Sequence, residues 1–323
     1  MTAIAAIAIG RNEGARLLAC LSSLRAQPDL GAVVYIDSGS TDGSVAAARD
    51  LGARVVTLAT DTPFTAARAR NAGIAALKDT PPALVQFIDG DCTLDAGWLD
   101  RARDFLAAHP DVAVVCGRRR ERYPQASIYN RMCDAEWDTP VGEAAACGGD
   151  ALIRWTALDA VGGYDPALIA GEEPEMCLRM RRLGWKIWRL DAEMTRHDAG
   201  MTRLGQFWKR MQRGGYAAAE GAAMYGQGPE RHGVATVRRA LIWGLAIPAV
   251  TLLAAALAGP AALWGLMVYP AQITRLALRG GGSRAAWERA ALLTLGKFAE
   301  CAGVLSYRWR RLRGTETRLI EYK

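Results

Sequence analysis

The sequence predicts an α/β fold built on a mostly parallel, doubly wound sheet, followed by helices that associate with a membrane. Up to about residue 200, short apolar runs alternate with helical patterns, which is typical of consecutive βαβ units. Residues 240–278 then form a stretch in which Gln272 and Arg275 are the only strongly polar residues. This change of composition indicates a second region whose surroundings are the lipid bilayer and not water.

The predicted strands lie at residues 3–9, 32–37, 53–58, 83–89 and 112–117. The first of them, "AIAAIAI", has no basic segment before it and no cleavage site after it, so we interpret it as a buried strand and not as a signal peptide. The first, second and fourth strands end in "GRNEG", "DSGSTDGS" and "DGDC". Because ligands bind at the carboxyl ends of the strands in such sheets, these three polar segments are expected at one edge.

The overall composition limits the partners. The chain has 323 residues, 51% of them hydrophobic, and a net charge of +7. A basic chain of this kind suits nucleotides, nucleic acid or an anionic membrane surface. Its seven cysteines form no CxxC pair. They are therefore interpreted as reduced thiols in a cytoplasmic setting, without metal-ligand spacing.

The apolar stretch at residues 240–278 is predicted to be a membrane hairpin. Gly259 and Pro260 divide it into two halves of about 18 residues, each about 27 Å long as a helix and just sufficient for the hydrocarbon core. Arginines flank both ends, at positions 238, 239, 275 and 279, so both ends are expected on the cytoplasmic side. The alternative is a pair of buried helices in a soluble protein.

The segment after the hairpin, residues 285–314, carries its charges on one face. We interpret it as an amphipathic interfacial helix that ends in four arginines, at positions 308, 310, 311 and 313. The segment "TRLGQFWKRMQRGGYAAAE" (202–220) is predicted to be another amphipathic helix near the membrane.

The pair Asp89 and Asp91 is the first candidate site. In an extended segment residues i and i+2 point to the same side, so both carboxylates can face one cation, and Gly90 between them keeps the backbone slim. Carboxylate oxygens with open coordination positions suit Mg²⁺ or Mn²⁺ bound to a diphosphate. An isolated D-x-D is a weak signal, since many are turns or helix caps.

Six segments in order make the chain resemble the family 2 inverting glycosyltransferases of the GT-A fold. They are "IAIGRNEG", "VVYIDSGSTDGS", "AARARNAG", "FIDGDC", "GGYDPALIAGEEPEMCLRMRRLGWKI" and a histidine after the next strand, His197. The resemblance extends over about residues 4–205. It implies that a nucleotide-diphosphate sugar donates its sugar to an acceptor hydroxyl with inversion at the anomeric carbon.

The resemblance also implies roles for residues on the donor side. Asn12, Glu13 and Asp37 would line the nucleotide pocket, although Glu13 could instead cap a helix and Asp37 could simply stabilise a turn. Arg70 would neutralise phosphate, unless it is a solvated helix residue. Where the family has a second aspartate, this chain has Ser38, so base contacts can differ.

The predicted metal site consists of Asp91 as a direct ligand, Asp89 as a ligand of the cation or of the ribose, and His197. The alternative for His197 is a structural histidine. The cation would be Mg²⁺ or Mn²⁺ and would offset the charge on the leaving diphosphate.

The segment "GEEPEM" supplies the candidate general base. Pro174 suits the first turn of a helix, so Glu173 lies at a helix start, where negative charge is favourable. The family base is usually an aspartate; the matching residue here is Glu173, and the sequence leaves open whether Glu173 or Glu172 is the base. A carboxylate at this place is expected to keep a low pKa.

These interpretations define the predicted domains and function. Residues 1–205 would be the glycosyltransferase domain, 206–237 an amphipathic connector, and 238–323 a membrane-associated region with a hairpin at 240–278 and an amphipathic helix at 285–310. The donor would be a nucleotide-diphosphate sugar, with UDP favoured, and the acceptor a lipid-linked or other glycan in envelope or exopolysaccharide synthesis. The enzyme would act at the cytoplasmic face of the inner membrane, with no nucleic-acid partner.

Two alternatives come from other functional classes. A nucleotidyltransferase also uses an α/β sheet, a metal and a nucleotide, but "GRNEG" lacks the glycine-rich basic phosphate loop expected after its first strand. An inactive nucleotide-sugar-binding scaffold is disfavoured by the carboxylates at positions 89, 91 and 173.

Overall fold

The computed structural model describes residues 3–314. Contacts divide the chain into two compact units, the first made of residues 1–123 and 133–199 and the second of residues 124–132 and 200–323. The first unit contains the sheet, and the second is helical. The division falls within one helix, Ile128–Glu136.

The first unit is the predicted α/β fold. Its strands are β1 Ile4–Gly10, β2 Leu30–Asp37, β3 Arg54–Thr57, β4 Leu84–Asp89, β5 Cys92–Leu94, β6 Val112–Glu121, β7 Gly142–Ala144, β8 Ala151–Arg154 and β9 Lys186–His197. Its helices are α1 Ala15–Arg25, α2 Ser44–Asp50, α3 Ala66–Leu77, α4 Trp98–Ala108, α6 Trp155–Ala160 and α7 Glu172–Arg182, while α5, Ile128–Glu136, is shared with the second unit.

Strand order explains how the polar segments meet. In the described residues the sheet runs β3-β2-β1-β4-β8-β6-β9-β5, with β7 on β9. Strands β1 to β4 are parallel to one another, and β8 enters antiparallel between β4 and β6. At the carboxyl end of β1, Gly10 pairs with Asp37 of β2 and Ile9 pairs with Asp89 of β4. The three predicted polar segments therefore lie at one edge, as the sequence indicated.

The core of the first unit is apolar on both faces of the sheet. Strand β1 is rich in alanine and is fully buried at Ala6, Ile7 and Ala8, which suits a central parallel strand covered by helices on both sides. Helix α3 packs closely on it, because Gly73 has no side chain; a Cβ there would lie 2.4 Å from Cγ2 of Ile7.

The second unit is built from long helices. They are α8 Leu204–Tyr225, α9 Val234–Leu241, α10 Ile247–Ala258, α11 Val268–Arg279 and α12 Arg284–Arg313, with a π-helical segment at Ile242–Ala246 and a 3₁₀ segment at Pro260–Met267. Helix α12 corresponds to the predicted amphipathic helix, and α8 to the predicted connector.

The predicted hairpin has two different halves. Helix α9, the π-helical segment and α10 join into one helix, Val234–Ala258, that is long and apolar enough to cross a membrane. It is the only such helix among residues 3–314. The second half is divided between the 3₁₀ segment and α11, so it is not the second 18-residue helix that the sequence predicted. The left-handed φ of 99° at Gly259, followed by Pro260, ends α10 at the predicted break.

Helices α8 and α12 cross at glycines. A Cβ at Gly215 of α8 would lie 2.1 Å from the backbone oxygen of Glu300, and one at Gly303 of α12 would lie 2.0 Å from the backbone oxygen of Gln212. The two backbones therefore approach closer than any side chain permits. The neighbouring Gly214 is exposed and has open space around it.

This crossing can be tested by comparing two adjacent substitutions on α8. Gly215→Ala is expected to lower the stability of the second unit by about 1–3 kcal/mol, because the new methyl group collides with the α12 backbone. Gly214→Ala gains about 1 kcal/mol of helix propensity and meets no neighbour. The thermal midpoints of the two variants, measured in the same detergent, should fall on opposite sides of the parent's. Equal midpoints for the two variants would contradict the close crossing.

Candidate active site

The loops after β1 and β2 are tied together by side-chain hydrogen bonds. Asn12 has a left-handed φ of 55°, its Oδ1 accepts from the Thr41 amide at 2.7 Å, and its own amide donates to Ser40 Oγ at 2.9 Å. The buried carboxylate of Asp37 accepts from the amides of Gly39 and Ser40, both at 3.0 Å. In these contacts Asp37 stabilises a turn, which was the alternative to a nucleotide contact.

Gly90 draws the loop after β4 against β1. Its amide donates to the carbonyl oxygen of Ile9 at 2.7 Å, and a Cβ would lie 3.0 Å from that oxygen. The same Cβ would be 3.4 Å from Cγ of Glu13, which forms an ion pair with Arg16 at 2.8 Å. Glu13 therefore lies beside the D-x-D loop, in the region where the sequence predicted it.

Asp91 and His197 form a buried pair. Strand β5 pairs antiparallel with β9, which sets Cys92 opposite His197 and brings Oδ2 of Asp91 to 3.3 Å from Nε2 of His197. Burial raises the pKa of the neighbouring Cys92 thiol well above its ordinary value, so the sulfur stays protonated and is a poor ligand. Ligand atoms of Asp91, Cys92 and His197 lie within 4.8 Å of one another, and the carboxylate among them suits Mg²⁺ or Mn²⁺.

The other side of His197 faces Glu121, a residue that the sequence did not single out. Nδ1 of His197 lies 3.9 Å from Oε2 of Glu121. The buried Glu121 is fixed by the amides of Tyr123 and Ala199, each at 3.0 Å. At this distance Glu121 forms no hydrogen bond to the ring, and the buried Nδ1 of His197 has no hydrogen-bond partner in the described residues, so the imidazole lies between two carboxylates.

Asp89 is held by two arginines. Its Oδ1 lies 3.0 Å from Nη2 of Arg70, and its Oδ2 lies 3.0 Å from Nη2 of Arg119. Burial alone would raise the pKa of Asp89, but the two guanidinium groups hold it well below its ordinary value. The two carboxylates of the D-x-D motif thus have different partners. Asp91 contacts His197, whereas Asp89 contacts Arg70 and Arg119.

Asp150 completes this network, although the sequence analysis did not single it out. Its side chain is fully buried, with Oδ2 2.7 Å from Nη2 of Arg119 and 2.6 Å from the hydroxyl of Thr195. Its Oδ1 accepts from the Asp89 amide at 3.0 Å. Gly149 leaves the space for the arginine and aspartate beside it, since a Cβ would lie 2.6 Å from Nη2 of Arg70.

Arg70 links Asp89 to the start of α7. Its Nη1 lies 2.8 Å from Oε1 of Glu172 and 3.0 Å from Oε1 of Glu173. Although burial lowers the pKa of Arg70, Glu173, Asp89 and Glu172 together raise it well above its ordinary value. The predicted phosphate-neutralising arginine is therefore buried, not solvated, and in this structure it neutralises carboxylates.

Glu172 and Glu173 differ in the exposure of their side chains. Helix α7 begins at Glu172, after the left-handed Gly171, and the Glu173 side chain is the more exposed of the two, at 16% against 5%. Burial and the neighbouring Glu172 raise the pKa of Glu173 to about 7. The low pKa that the helix start suggested was wrong, because burial and a like charge outweigh the helix end.

The strand order, with parallel β1 to β4 and the antiparallel β8 inserted after β4, is that of a GT-A type α/β fold. Residues 7–145 match the family model described as Glycosyl transferase family 2. The chain is 30% identical over 212 residues to the succinoglycan biosynthesis protein ExoA of Rhizobium meliloti, covering 61% of this chain and 64% of that protein. It is 24% identical over 187 residues to the glycosyltransferase AglE of Haloferax volcanii, covering 54% and 60%. The matches thus span less than two thirds of either relative.

Solved structures show the same fold. A mannosyltransferase from Pyrobaculum calidifontis, in complex with GDP-Man and Mn²⁺, superimposes with a TM-score of 0.68 at 22% identity, over 96% of this chain and 88% of that one. Residues 1–349 of TarS from S. aureus give a TM-score of 0.51 at 17% identity, over 98% and 93%. The predicted GT-A fold class is therefore confirmed, and the family model that residues 7–145 match is the predicted one.

The buried network makes a prediction for two adjacent arginines on β6. Arg119→Gln leaves the buried Asp150 without its charged partner and is expected to cost about 3–5 kcal/mol of stability. Arg120→Gln removes the same charge from a side chain that is 40% exposed and pairs with Asp134 and Glu193; it should cost less than about 1 kcal/mol. Urea unfolding of the two variants checks this. Similar losses in both would mean that the network is not what holds Asp150.

Proposed function

We propose that this chain is an inverting, divalent-cation-dependent glycosyltransferase. It moves a sugar from a nucleotide-diphosphate sugar to a hydroxyl of a lipid-linked glycan, at the cytoplasmic face of the plasma membrane, in the synthesis of an envelope or extracellular polysaccharide. The succinoglycan biosynthesis relative supports the polysaccharide context. The observation that carries the proposal is the position of Glu173. Its carboxylate has a pKa of about 7 and contacts Arg70, whose guanidinium group also contacts Asp89 of the D-x-D motif.

Glu173 has the properties of a general base for this reaction. At neutral pH a carboxylate with this pKa is partly ionised and accepts a proton better than an ordinary glutamate does. It takes the proton of the acceptor hydroxyl as that oxygen forms the new bond to the anomeric carbon. The bond from that carbon to the diphosphate oxygen breaks on the opposite side, its electron pair leaves with the diphosphate, and the configuration inverts. Glu172, which is more buried and paired with Arg70, has the positioning role.

Asp91 and His197 are the residues that would hold the cation, with Asp89 at the edge of the same loop. When bound, Mg²⁺ or Mn²⁺ would offset the charge on the leaving diphosphate. Asn12, Glu13 and Asp37 support the nucleotide side by fixing the loops that surround it.

Membrane attachment is supported by the exposed side chains of the helix Val234–Ala258. Only 11% of its most apolar 18-residue segment is buried. The side chains of Val250, Leu253 and Leu257 are 66%, 60% and 80% exposed. At about 1.5 Å per residue its 25 residues extend about 38 Å, enough for the hydrocarbon core. So much apolar surface on a long helix favours lipid as its solvent.

A donor and acceptor assay tests the proposal against both alternatives. The purified chain with Mn²⁺ would be titrated with UDP-, GDP- and dTDP-sugars, GDP-mannose included, because the P. calidifontis structure contains that donor. Transfer to a lipid-diphosphate sugar, with inverted configuration by NMR, is expected, and UDP remains the favoured nucleotide. Formation of a nucleotide sugar from a nucleoside triphosphate and a sugar phosphate would indicate a nucleotidyltransferase, and binding without turnover a scaffold.

The cation site can be tested at Asp91. Asp91→Asn is nearly isosteric but removes the ligand charge, so metal-dependent donor binding and transfer should both be lost while the fold survives. Calorimetry with and without Mn²⁺ measures the effect, and circular dichroism verifies the fold. Asp95→Asn, a partly exposed aspartate four residues further on, is the matched control. Unchanged metal-dependent binding in the Asp91 variant would refute the assignment.

The base can be tested by separating Glu173 from Glu172. Glu173→Gln is expected to lower turnover by about 10²–10⁴-fold with donor affinity kept. Because only the ionised carboxylate accepts a proton, the parent's rate should rise with pH through about 7, and this rise should vanish in the variant. Glu172→Gln should have the milder effect on turnover. If Glu172→Gln is the inactive variant, the two assignments must be exchanged.

Membrane insertion can be tested on the exposed face of the apolar helix. Val250→Arg with Leu253→Arg should leave the fold intact but weaken insertion, since each arginine costs about 2.5–3.5 kcal/mol near a helix centre. The parent should resist extraction by high salt, whereas the double variant should be released in part. Leu183→Arg, at an exposed position after α7, serves as control. Release of the parent by salt alone would show that the helix is not inserted.

A further inference from the structure

A groove in the second unit lies among α8, α9 and α12. It encloses about 640 Å³ and is lined by Ala219, Ala222, Ala223, Val237, Tyr307, Arg308, Arg311 and Leu312. The α8 side is formed by alanines, whose short side chains leave the space open. A volume of this size is typical of ligand pockets.

The groove has a positive end. Arg308 and Arg311 are three residues apart on α12, so they lie on the same helix face. Both are exposed, and neither has a carboxylate partner within residues 3–314. The nearby Arg310 and Arg313 are directed at aromatic rings, those of Tyr216 and Trp309, at 5.8 Å and 4.2 Å. Two guanidinium groups therefore remain for an anion at the groove.

The rest of the groove is apolar and continues into the membrane helix. Val237 is the fourth residue of the helix Val234–Ala258, and the exposed Arg238 and Arg239 follow it directly. Arginines at this point of a spanning helix are expected at the level of lipid headgroups. The groove thus combines a basic end with an apolar trough beside the start of the helix Val234–Ala258.

We propose that this groove binds an anionic glycerophospholipid, with its phosphodiester on Arg308 and Arg311 and the upper part of an acyl chain along the alanines of α8. The trough argues for a lipid over free phosphate, because a soluble anion would gain nothing from Ala222, Ala223 and Leu312. The proposal goes beyond sugar transfer and rests only on the membrane attachment proposed above. The bound lipid would fix α9, and with it the start of the membrane helix, against α12.

Another explanation for the arginines is that they only complement the negative end of α12. In that case no lipid should be preferred over another, and filling the trough should have no effect. The two explanations therefore differ in a measurable selectivity.

Native mass spectrometry of the full chain in dodecyl maltoside micelles provides the test. Titration with dioleoyl phosphatidylglycerol should give one saturable adduct, with much weaker binding of dioleoyl phosphatidylcholine. The double variant Arg308→Gln with Arg311→Gln should bind phosphatidylglycerol roughly 30-fold more weakly, given about 1 kcal/mol per basic residue at a headgroup. Arg289→Gln, an exposed arginine on the same helix outside the groove, should bind like the parent.

A second variant keeps the charges and closes the trough. Ala223→Trp should weaken phosphatidylglycerol binding, while Met224→Trp, at the exposed neighbouring position of α8, should not. Equal binding of both lipids, full binding by either groove variant, glycerol 3-phosphate binding as tightly as the lipid, or a strong preference for undecaprenyl phosphate would each overturn the proposal. Titration with the nucleotide-sugar donor reports on the proposed function separately, since these variants should leave donor affinity unchanged.

Discussion

Two buried guanidinium groups hold the first unit's polar centre together. Arg70 and Arg119 face four carboxylates, so two negative charges would be unmatched if every acid ionised. A buried arrangement of this kind persists only if each charge finds a partner or a proton. The two arginines lower the pKa of Asp89, which stays ionised. Because positive charge is insufficient for all four acids, the pKa of the more exposed Glu173 is raised.

The sheet makes this arrangement possible by bringing distant segments to one edge. Parallel pairing of β1, β2 and β4 aligns three loops, and the antiparallel β8 delivers Asp150 directly beneath Asp89. Strand β9 then serves both halves of the centre, since Thr195 contacts Asp150 and His197 contacts Asp91. The acidic start of α7 closes the network from the other side through Arg70. The charge pairing in this centre therefore depends on the strand order that brings these residues to one edge of the sheet.

The sequence predicted what local patterns encode. The strand alternation, the D-x-D loop and the helix that begins at Glu172 all follow from residues close together in the chain. Arg119, Asp150 and Glu121 escaped notice because their partners lie about 30 to 80 residues away, and nothing near them marks them as buried. The second half of the apolar stretch differs from the prediction in helix type, being 3₁₀ at Pro260–Met267 and α-helical at Val268–Arg279, because composition indicates that a segment is apolar but not which kind of helix it forms.

The raised pKa of Glu173 also affects how the centre exchanges protons with the solvent. At neutral pH both the protonated and the ionised form of this side chain are populated. Arg70 contacts it and Asp89, so the charges of the two acids are coupled. A cation bound near the D-x-D loop would favour the ionised form and release a fraction of a proton, and an anion bound there would have the opposite effect. The measured heat of ligand binding should therefore vary with the ionisation enthalpy of the buffer, and the slope of that dependence counts the protons moved.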